Sequence, residues 1–378
     1  EENLDDFYQT HLWHKCQKIL LLFYKYRKTR DILKNITDKA FLFDWPEEDM
    51  PIILEDYKRI TQKVLEGRAH ELSESDGLYL STCRKGAGKD RDRTTQPYGP
   101  ELANRRAWSL KSSYMTTLLR AKVFSQEEQE SIAKAARDTS KPFTQIIEEE
   151  LLKYRGKSEK ELCKEFNVNF KAKGRNSTLV RKILGLSSDI DNTVEFKKAN
   201  MNIRAIRVDK NGLPKEDSPF KNYRFIEMAN ENEWENSHIY TEIFSKELMF
   251  VIFRETAPKN YVLDHVKFWG FPESLEPELM RVWQETKDTI IQGIELTPKP
   301  HGEDGVRVFT NFPKSQMNKI LFTKAHASKS YYELEPGKFV GKGKLKDTDE
   351  LPDGRHITKH SFWLPKKFVQ QILRGEWD

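Results

Sequence analysis

The 378-residue sequence has few cysteines, no long apolar segment and only a small excess of one charge. Its three cysteines, Cys16, Cys83 and Cys163, are odd in number and widely separated, which argues against both a disulfide framework and a zinc site. The purely apolar run at residues 19–24 is far too short to cross a bilayer, no other run is longer, and we find no signal peptide. We therefore expect a soluble intracellular protein that does not contact a membrane.

The sequence also has no nucleotide-binding loop and no nucleophile elbow. Its net charge of +5 is compatible with a polyanionic partner but does not require one. Charged residues make up 33% and hydrophobic residues 37% of the chain, an ordinary balance for a soluble protein. Because the chain is longer than the size at which one hydrophobic core usually keeps growing, we expect two domains.

A short charged segment in the middle of the chain, Val194-Glu195-Phe196-Lys197, contains the residue types of a metal-dependent nuclease. Interpreted as the start of a strand, it places Glu195 and Lys197 on one face, with Asp191 a few residues upstream. Acids of this kind can bind a divalent cation, and a lysine can position or polarise the attacking water. The alternative is a solvated strand face, because three-residue patterns of this kind are common by chance.

The sequence repeats itself at a spacing of 226 residues. Pro46 and Pro272 are this far apart, and so are Gly67 and Gly293, with no gap between the two pairs. Two further segments resemble each other upstream, 7–12 followed by 19–23 and 234–239 followed by 248–253, each a short polar box that leads into an apolar strand. A repeat of this length predicts two copies of one α/β domain.

The two copies are not equally complete. About ninety residues, 141–233, precede the second polar box, whereas six precede the first. We therefore expect a first domain at 1–124 that is truncated at its N-terminus, a helical linker at 125–140, and a complete second domain at 141–378.

Basic residues are concentrated at equivalent places in the two copies. Each copy has a basic loop after an apolar strand, and a second segment that mixes basic and aromatic residues. Such residues can bind phosphates, and an arginine can pair with guanine. A solvated loop is the alternative, and the repetition favours DNA. The candidate contacts are Arg84, Lys85, Lys89, Arg91, Arg93 and Lys111 in the first copy, and Lys324, His326, Lys359, Lys366 and Lys367 in the second.

The two polar boxes, the segment 67–73 and the closing segment 361–364 resemble the family of the mismatch-repair nicking endonuclease MutH and the related type II restriction endonucleases that cut GATC. The tandem arrangement is similar to that of the GATC-cutting enzymes in particular. The resemblance implies the restriction-endonuclease fold, a mixed sheet flanked by helices. It also implies a bacterial cytoplasmic enzyme that uses Mg²⁺ to hydrolyse double-stranded DNA at GATC and dimerises when it binds DNA.

The resemblance further implies the catalytic residues, because the family uses an Asp, a Glu-x-Lys pair and a second Lys at the end of the polar box. In the first copy the second lysine matches Lys15, and the remaining members would lie upstream of this chain. In the second copy Glu195 and Lys197 match the Glu-x-Lys pair, and Asp191 with Glu195 would be the metal ligands. However, Glu242 stands where the family has the second lysine, and Asp191 is not at the usual spacing from Glu195. We therefore expect the second copy to bind DNA as an allosteric module, with its Glu-x-Lys pair vestigial.

Two other functions remain open at this point. The protein could be a DNA-binding or regulatory protein in which neither copy cleaves. It could also be a tandem α/β protein with no role in nucleic-acid metabolism.

Overall fold

The chain contains both helices and short strands, which confirms the expected mixed α/β class. The computed structural model describes residues 6–25, 34–86, 92–124, 129–138, 140–301, 305–315 and 318–377. The chain forms two compact units. Unit 1 consists of Glu1–Ile203, Glu247–Met249 and Asp264–Val266, and unit 2 consists of Arg204–Lys246, Phe250–Leu263 and Lys267–Asp378. Because these bounds differ from 1–124 and 141–378, the division of the chain by its sequence repeat stays a prediction.

The first part of the chain contains fourteen α-helices and β-strands among its described residues, besides several 3-10 helices. In order they are α1 (His11–Cys16), β1 (Lys18–Lys25), β2 (Ile36–Asp44), α2 (Met50–Leu65), β3 (Leu80–Arg84), β4 (Arg93–Thr95), β5 (Leu102–Asn104), β6 (Arg106–Leu110), α3 (Ser112–Lys122), α4 (Ile132–Ala135), α5 (Phe143–Leu152), α6 (Glu159–Glu165), α7 (Arg175–Ile183) and α8 (Val194–Ala199). Strands β1 and β2, β3 and β6, and β4 and β5 form antiparallel pairs. The predicted helical linker is described at 129–138 and 140, where it contains α4.

Helix α2 shows how local sequence sets the elements of unit 1. Pro51 lies in its first turn, where the missing N–H has no partner to lose. Apolar residues at helical spacing, among them Ile53, Tyr57 and Ile60, are buried. The helix ends before Gly67, which has a φ of 75°. The carbonyl oxygen of Tyr98 lies 2.3 Å from where a Cβ at this glycine would be, so a side chain cannot replace it without a backbone shift.

The segment around Glu195 is helical, so the prediction of a strand there is wrong. Helix α8 buries Phe196 and Ala199 completely, and this spacing of three residues belongs to a helix. Asn200 ends the helix in a left-handed conformation, with φ 54°. The predicted strand begins after it, at Met201.

The rest of the chain is richer in strands. In order its elements are β7 (Met201–Val208), β8 (Ser218–Asn222), α9 (Phe225–Asn230), β9 (Glu247–Ala257), β10 (Asn260–Gly270), α10 (Glu276–Gln292), β11 (Leu296–His301), β12 (Gly305–Thr310), β13 (Phe322–Ala325), β14 (Tyr331–Glu335), β15 (Lys338–Gly341), β16 (Thr348–Glu350), β17 (His356–Thr358), β18 (His360–Leu364) and α11 (Lys366–Leu373). A π-helical turn, Tyr240–Phe244, precedes β9.

The strands form several small sheets, whereas we expected one mixed sheet. Two sheets have three strands, in the orders β10–β9–β7 and β13–β18–β8. The pairs β11/β12, β14/β15 and β16/β17 are antiparallel and two-stranded. Strand β9 is the most buried of these strands, since its first seven residues are all buried. None of the helices in the described part of the chain has the length and apolar character needed to span a bilayer.

Candidate active-site residues and nucleic-acid interface

Lys15 lies in the last turn of helix α1, and its side chain is exposed. The short helix is held at both ends. The hydroxyl of buried Thr10 accepts a hydrogen bond from the amide of Trp13 at 3.1 Å, which caps the first turn. The indole N–H of Trp45 donates to the carbonyl of Cys16 at 2.7 Å. The polar box therefore presents Lys15 to solvent on a helix that is fixed by Thr10 and Trp45.

The carboxylate of Glu195 caps another helix. It accepts hydrogen bonds from the Ser131 hydroxyl at 2.6 Å and from the amides of Ile132 at 3.0 Å and Ala133 at 3.2 Å. These amides belong to the first turn of α4, where N–H groups have no partner within the helix. Glu195 is buried, and both of its carboxylate oxygens are engaged. The structure therefore gives Glu195 a structural role that the sequence pattern did not indicate.

The other predicted metal ligand, Asp191, also binds a backbone amide. Its Oδ1 accepts a hydrogen bond from the N–H of Ile203 at 3.0 Å, at the start of strand β7. Lys197 lies on helix α8 and is half-buried. Throughout the described ranges there is no group of three or more His, Cys, Asp and Glu side chains that could hold a metal ion.

A buried ion pair next to Glu195 was missed by sequence reasoning. Lys198 Nζ lies 2.6 Å from both carboxylate oxygens of Asp49, and the Tyr114 hydroxyl donates to Asp49 Oδ2 at 3.1 Å. Burial raises the pKa of Asp49, while the ammonium of Lys198 acts in the opposite direction. No local pattern distinguishes Lys198 from the half-buried Lys197 beside it, because the partner of Lys198 is 149 positions away.

In unit 1 the two predicted basic segments come together as neighbouring strands. Arg84 at the end of β3 is opposite Arg106 on β6, and the amide of Lys85 donates to the carbonyl of Arg105 at 2.7 Å. Arg84 and Lys85 are exposed. Arg93 is also exposed and lies on β4. The candidates Lys89 and Arg91 lie outside the described residues.

Lys111 has a different environment from the other predicted DNA contacts. Its side chain is 10% exposed, and its ammonium lies 3.2 Å from the carboxylate of Glu247, which is also buried. Burial raises the pKa of Glu247, while Lys111 acts to lower it. The structure therefore supplies Lys111 with a buried partner rather than an accessible surface.

Unit 2 also contains an antiparallel strand pair, which belongs to the three-stranded sheet β13–β18–β8. Strand β13 is antiparallel to β18, with Thr323 opposite Phe362. The amide of His326 donates to the carbonyl of Lys359 at 2.7 Å and closes the pair. Beyond β18 the chain turns at Pro365 into helix α11.

A partly exposed cluster of basic and aromatic residues lies at the end of this strand pair. Lys324 Nζ lies 4.7 Å from the centre of the Trp363 ring, a distance suited to a cation–π contact. The imidazole of His326 meets the same indole edge-on at 4.9 Å, and its Nδ1 lies 2.9 Å from the hydroxyl of Ser361. Partial burial lowers the pKa of His326. The side chain of Lys324 is 53% exposed, although its ammonium is also 3.9 Å from Asp217.

Lys366 and Lys367 are exposed in the first turn of α11. The amide of Lys366 donates to the carboxylate of Asp217 at 3.0 Å, which helps to cap the helix. Two cations near a helix N-terminus oppose the helix dipole, and they create a place that favours an anion. The backbone amide of Lys366 and the ammonium of Lys324 therefore lie close to one carboxylate, that of Asp217.

Glu242, which stands where the family has a lysine, lies in the π-helical turn before β9. Its carboxylate is 3.3 Å from the ammonium of Lys221 and 3.7 Å from that of Lys246. Both lysines come from unit 2, and the acid partly neutralises them.

The comparisons with known proteins agree with the resemblance seen in the sequence. The family model of the DNA mismatch repair enzyme MutH matches residues 1–56. The chain is 30% identical over 380 residues to the type II restriction enzyme Sau3AI from Staphylococcus aureus, and this match covers 94% of the chain and 77% of Sau3AI. The chain therefore belongs to the family of MutH-like type II restriction endonucleases.

Proposed function

We propose that this protein cleaves double-stranded DNA at GATC sites, with a catalytic copy that contains Lys15 and a second copy that binds DNA without cleaving it. The observation that carries the proposal is a strand pair that occurs in the same form twice. The pair is followed by a helix each time, and it presents basic residues at its end in both units.

The two strand pairs agree in detail. In unit 1 Thr82 is opposite Trp108, and in unit 2 Thr323 is opposite Phe362. In each unit the pair is closed by an amide-to-carbonyl hydrogen bond of 2.7 Å between two basic residues, Lys85 and Arg105 in one and His326 and Lys359 in the other. This agreement supports a tandem arrangement of two MutH-like copies.

The helices before these strands also correspond. Helices α2 and α10 are followed by Gly67 and Gly293, which are both at positive φ. Each helix has a proline in its first turn. These features recur at the spacing of 226 residues found in the sequence, and they support a duplicated domain.

Lys15 is our candidate catalytic residue. It is exposed, and it sits at the end of a helix whose position is fixed by Thr10 and Trp45. An ammonium held in this way can stabilise negative charge that develops on a phosphate, or it can orient a water. The Asp and the Glu-x-Lys pair that the family resemblance implies for this copy stay predictions.

The Mg²⁺ requirement is a proposal that rests on the family. The described residues around Glu195 do not fit a metal ion, because Glu195 caps α4 and Asp191 binds the amide of Ile203. Glu195, Lys197 and Asp191 are therefore proposed to be vestigial in catalysis.

Unit 2 is the better candidate for binding without cleavage. Strand β7, which neighbours β9, contains Arg204 and Arg207 and no acidic residue. The π-helical turn before β9 carries Glu242 where the family has its second lysine. We propose that unit 2 contacts DNA through the partly exposed cluster of Lys324, His326 and Trp363, together with the exposed Lys366 and Lys367 at the start of α11. In unit 1 we propose that Arg84, Lys85 and Arg93 contact DNA.

The test uses the intact protein with a GATC-containing duplex and Mg²⁺. Lys15→Ala should abolish cleavage and leave DNA affinity largely unchanged, because one lysine out of many contributes little to binding. Lys58→Ala, which removes another exposed lysine of unit 1, is the matched control and should cleave like the wild type. Cleavage by Lys15→Ala at the wild-type rate would remove the assignment of Lys15, and an inactive wild type would remove the proposed function.

A regulatory protein that binds DNA without cutting it is the second candidate, and the structural hydrogen bonds that Glu195 and Asp191 accept from backbone amides favour it. Cleavage of GATC duplexes that is lost in Glu195→Ala, at unchanged stability, would show instead that the second copy is active. Two DNA-binding copies in one chain also lead us to propose dimerisation on DNA. Light scattering with and without a GATC duplex should show that two copies of the protein are present in the complex with DNA and one copy without it.

A further inference from the structure

Strands β11 and β12 of unit 2 form a two-stranded ribbon that is exposed on both faces. The structure describes it at Leu296–His301 and Gly305–Thr310, which pair in an unbroken antiparallel register. Val306 on one face is 46% exposed, and Phe309 on the other is 36% exposed. A two-stranded ribbon without a covered face gains little from burial. The residues of the ribbon are therefore available to contact an external partner.

One face of the ribbon concentrates positive charge around an aromatic ring. Lys299 is directly opposite Arg307, and Phe309 lies two residues further along the same face. Lys299 Nζ is 5.4 Å and Arg307 Cζ is 5.1 Å from the centre of the Phe309 ring. Like charges directly opposite each other destabilise a strand pair. A polyanion that binds this face would remove the repulsion.

Neither strand carries an acidic residue, and the acids between them in sequence, Glu303 and Asp304, lie outside the described residues. The opposite face contains Pro298 and Pro300. Neither proline has an N–H, and residues two apart in a strand direct their backbone nitrogens to the same edge. Both nitrogens must therefore lie on the edge of β11 that faces away from β12. The outer edge of β11 thus lacks two donors, which disfavours pairing with a strand from another protein or a second copy.

The ribbon has no counterpart at the matching place in unit 1. Between Gly67 and Leu80 that unit contains two short 3-10 helices, Ala69–Glu71 and Glu74–Asp76, whereas unit 2 places the ribbon between Gly293 and β13. The ribbon is therefore an addition to the frame that the two units share.

We propose that the β11/β12 ribbon lies in the major groove of bound DNA, with Lys299 and Arg307 on phosphate oxygens. The major groove is wide enough for a two-stranded ribbon. This inference rests on the proposed DNA binding by unit 2 and adds a contact surface to it. Phe309 positions both cations and keeps them on one face.

The test is DNA binding by the full chain, measured by fluorescence anisotropy with a GATC duplex and no divalent metal, over a series of salt concentrations. The double variant Lys299→Ala/Arg307→Ala should lose about tenfold or more in affinity, and the slope of log affinity against log salt should fall by about 2, one for each phosphate contact. The control Lys160→Ala/Lys164→Ala removes two exposed lysines from α6 and should retain both the affinity and the slope.

A second variant separates binding from folding. Arg307→Glu places an acid opposite Lys299, so the ribbon should be at least as stable to heat as in the wild type. The DNA affinity should fall further than it would with alanine at position 307 alone. Wild-type affinity and slope in both ribbon variants would overturn this inference and leave the proposed function standing. A wild-type chain that fails to bind the duplex would overturn both.

Discussion

Lys198 Nζ lies within 2.6 Å of both carboxylate oxygens of Asp49, and the two side chains are 7% and 5% exposed. The pair is set among the rings of Tyr79 and Tyr114, whose centres lie 5.6 and 5.5 Å from the ammonium. A charge removed from water in this way is tolerated only while its partner is present. The ion pair therefore fixes α8 to the start of α2 within unit 1.

Loss of one partner should destabilise unit 1 strongly. We expect Lys198→Met to lower the free energy of unfolding by about 3–5 kcal/mol, because it leaves the Asp49 carboxylate buried without compensation. The double variant Lys198→Met/Asp49→Leu should recover most of this loss. Urea unfolding of the two single variants and the double variant forms a mutant cycle, and additive effects would contradict a coupled pair.

Glu195 should behave as a helix cap. Glu195→Ala removes acceptors from the Ser131 hydroxyl and from the amides of Ile132 and Ala133, so we expect it to cost about 1–2 kcal/mol of unfolding free energy. The loss should be the same with and without Mg²⁺. Stabilisation by Mg²⁺ that is present in the wild type and absent in Glu195→Ala would instead identify a metal ligand.

Lys111 and Lys324 should respond in opposite ways to the same change. Lys111→Ala leaves the carboxylate of Glu247 buried and unpaired, so it should lower thermal stability and have little effect on the DNA affinity of the folded protein. Lys324→Ala removes an exposed cation, so it should weaken DNA binding and leave the melting temperature unchanged. Equal effects of the two variants on DNA affinity would show that Lys111 also belongs to the interface.

His360 should make unit 2 sensitive to acid. Its ring is buried, its Nδ1 donates to the carbonyl of Thr358 at 2.6 Å, and burial lowers its pKa to about 4. The unfolded chain takes up a proton near pH 6.5, so stability is fully present above that pH and is lost as the pH falls towards 4.

Between pH 7.5 and pH 5 this histidine should account for a loss of about 2 kcal/mol of unfolding free energy. Urea unfolding at the two pH values measures it. His360→Gln should have a smaller pH dependence than the wild type, and His301→Gln, at an exposed position, should retain it. An unchanged pH dependence in His360→Gln would assign the effect to other groups.

Some structural features of this protein can be predicted from its sequence and others cannot. The match of Gly67 with Gly293 could be read from the sequence because both glycines end helices at positive φ, and this requirement is local. The strand at Glu195 was predicted wrongly because a four-residue segment does not separate a strand from a short helix. The cap formed by Glu195 also could not be predicted, since its partners at 131–133 are more than sixty positions away.

The sequence by itself determined the family, the repeat at 226 residues and the concentration of basic residues at equivalent places. These properties depend on residue identity and spacing, which a chain carries before it folds. Only the tertiary structure decided which charged groups face solvent. Lys197 and Lys198 are neighbours in sequence, yet one is half-buried on the helix surface and the other is sealed against Asp49. Burial depends on which distant segment packs over a side chain, and no local pattern records that.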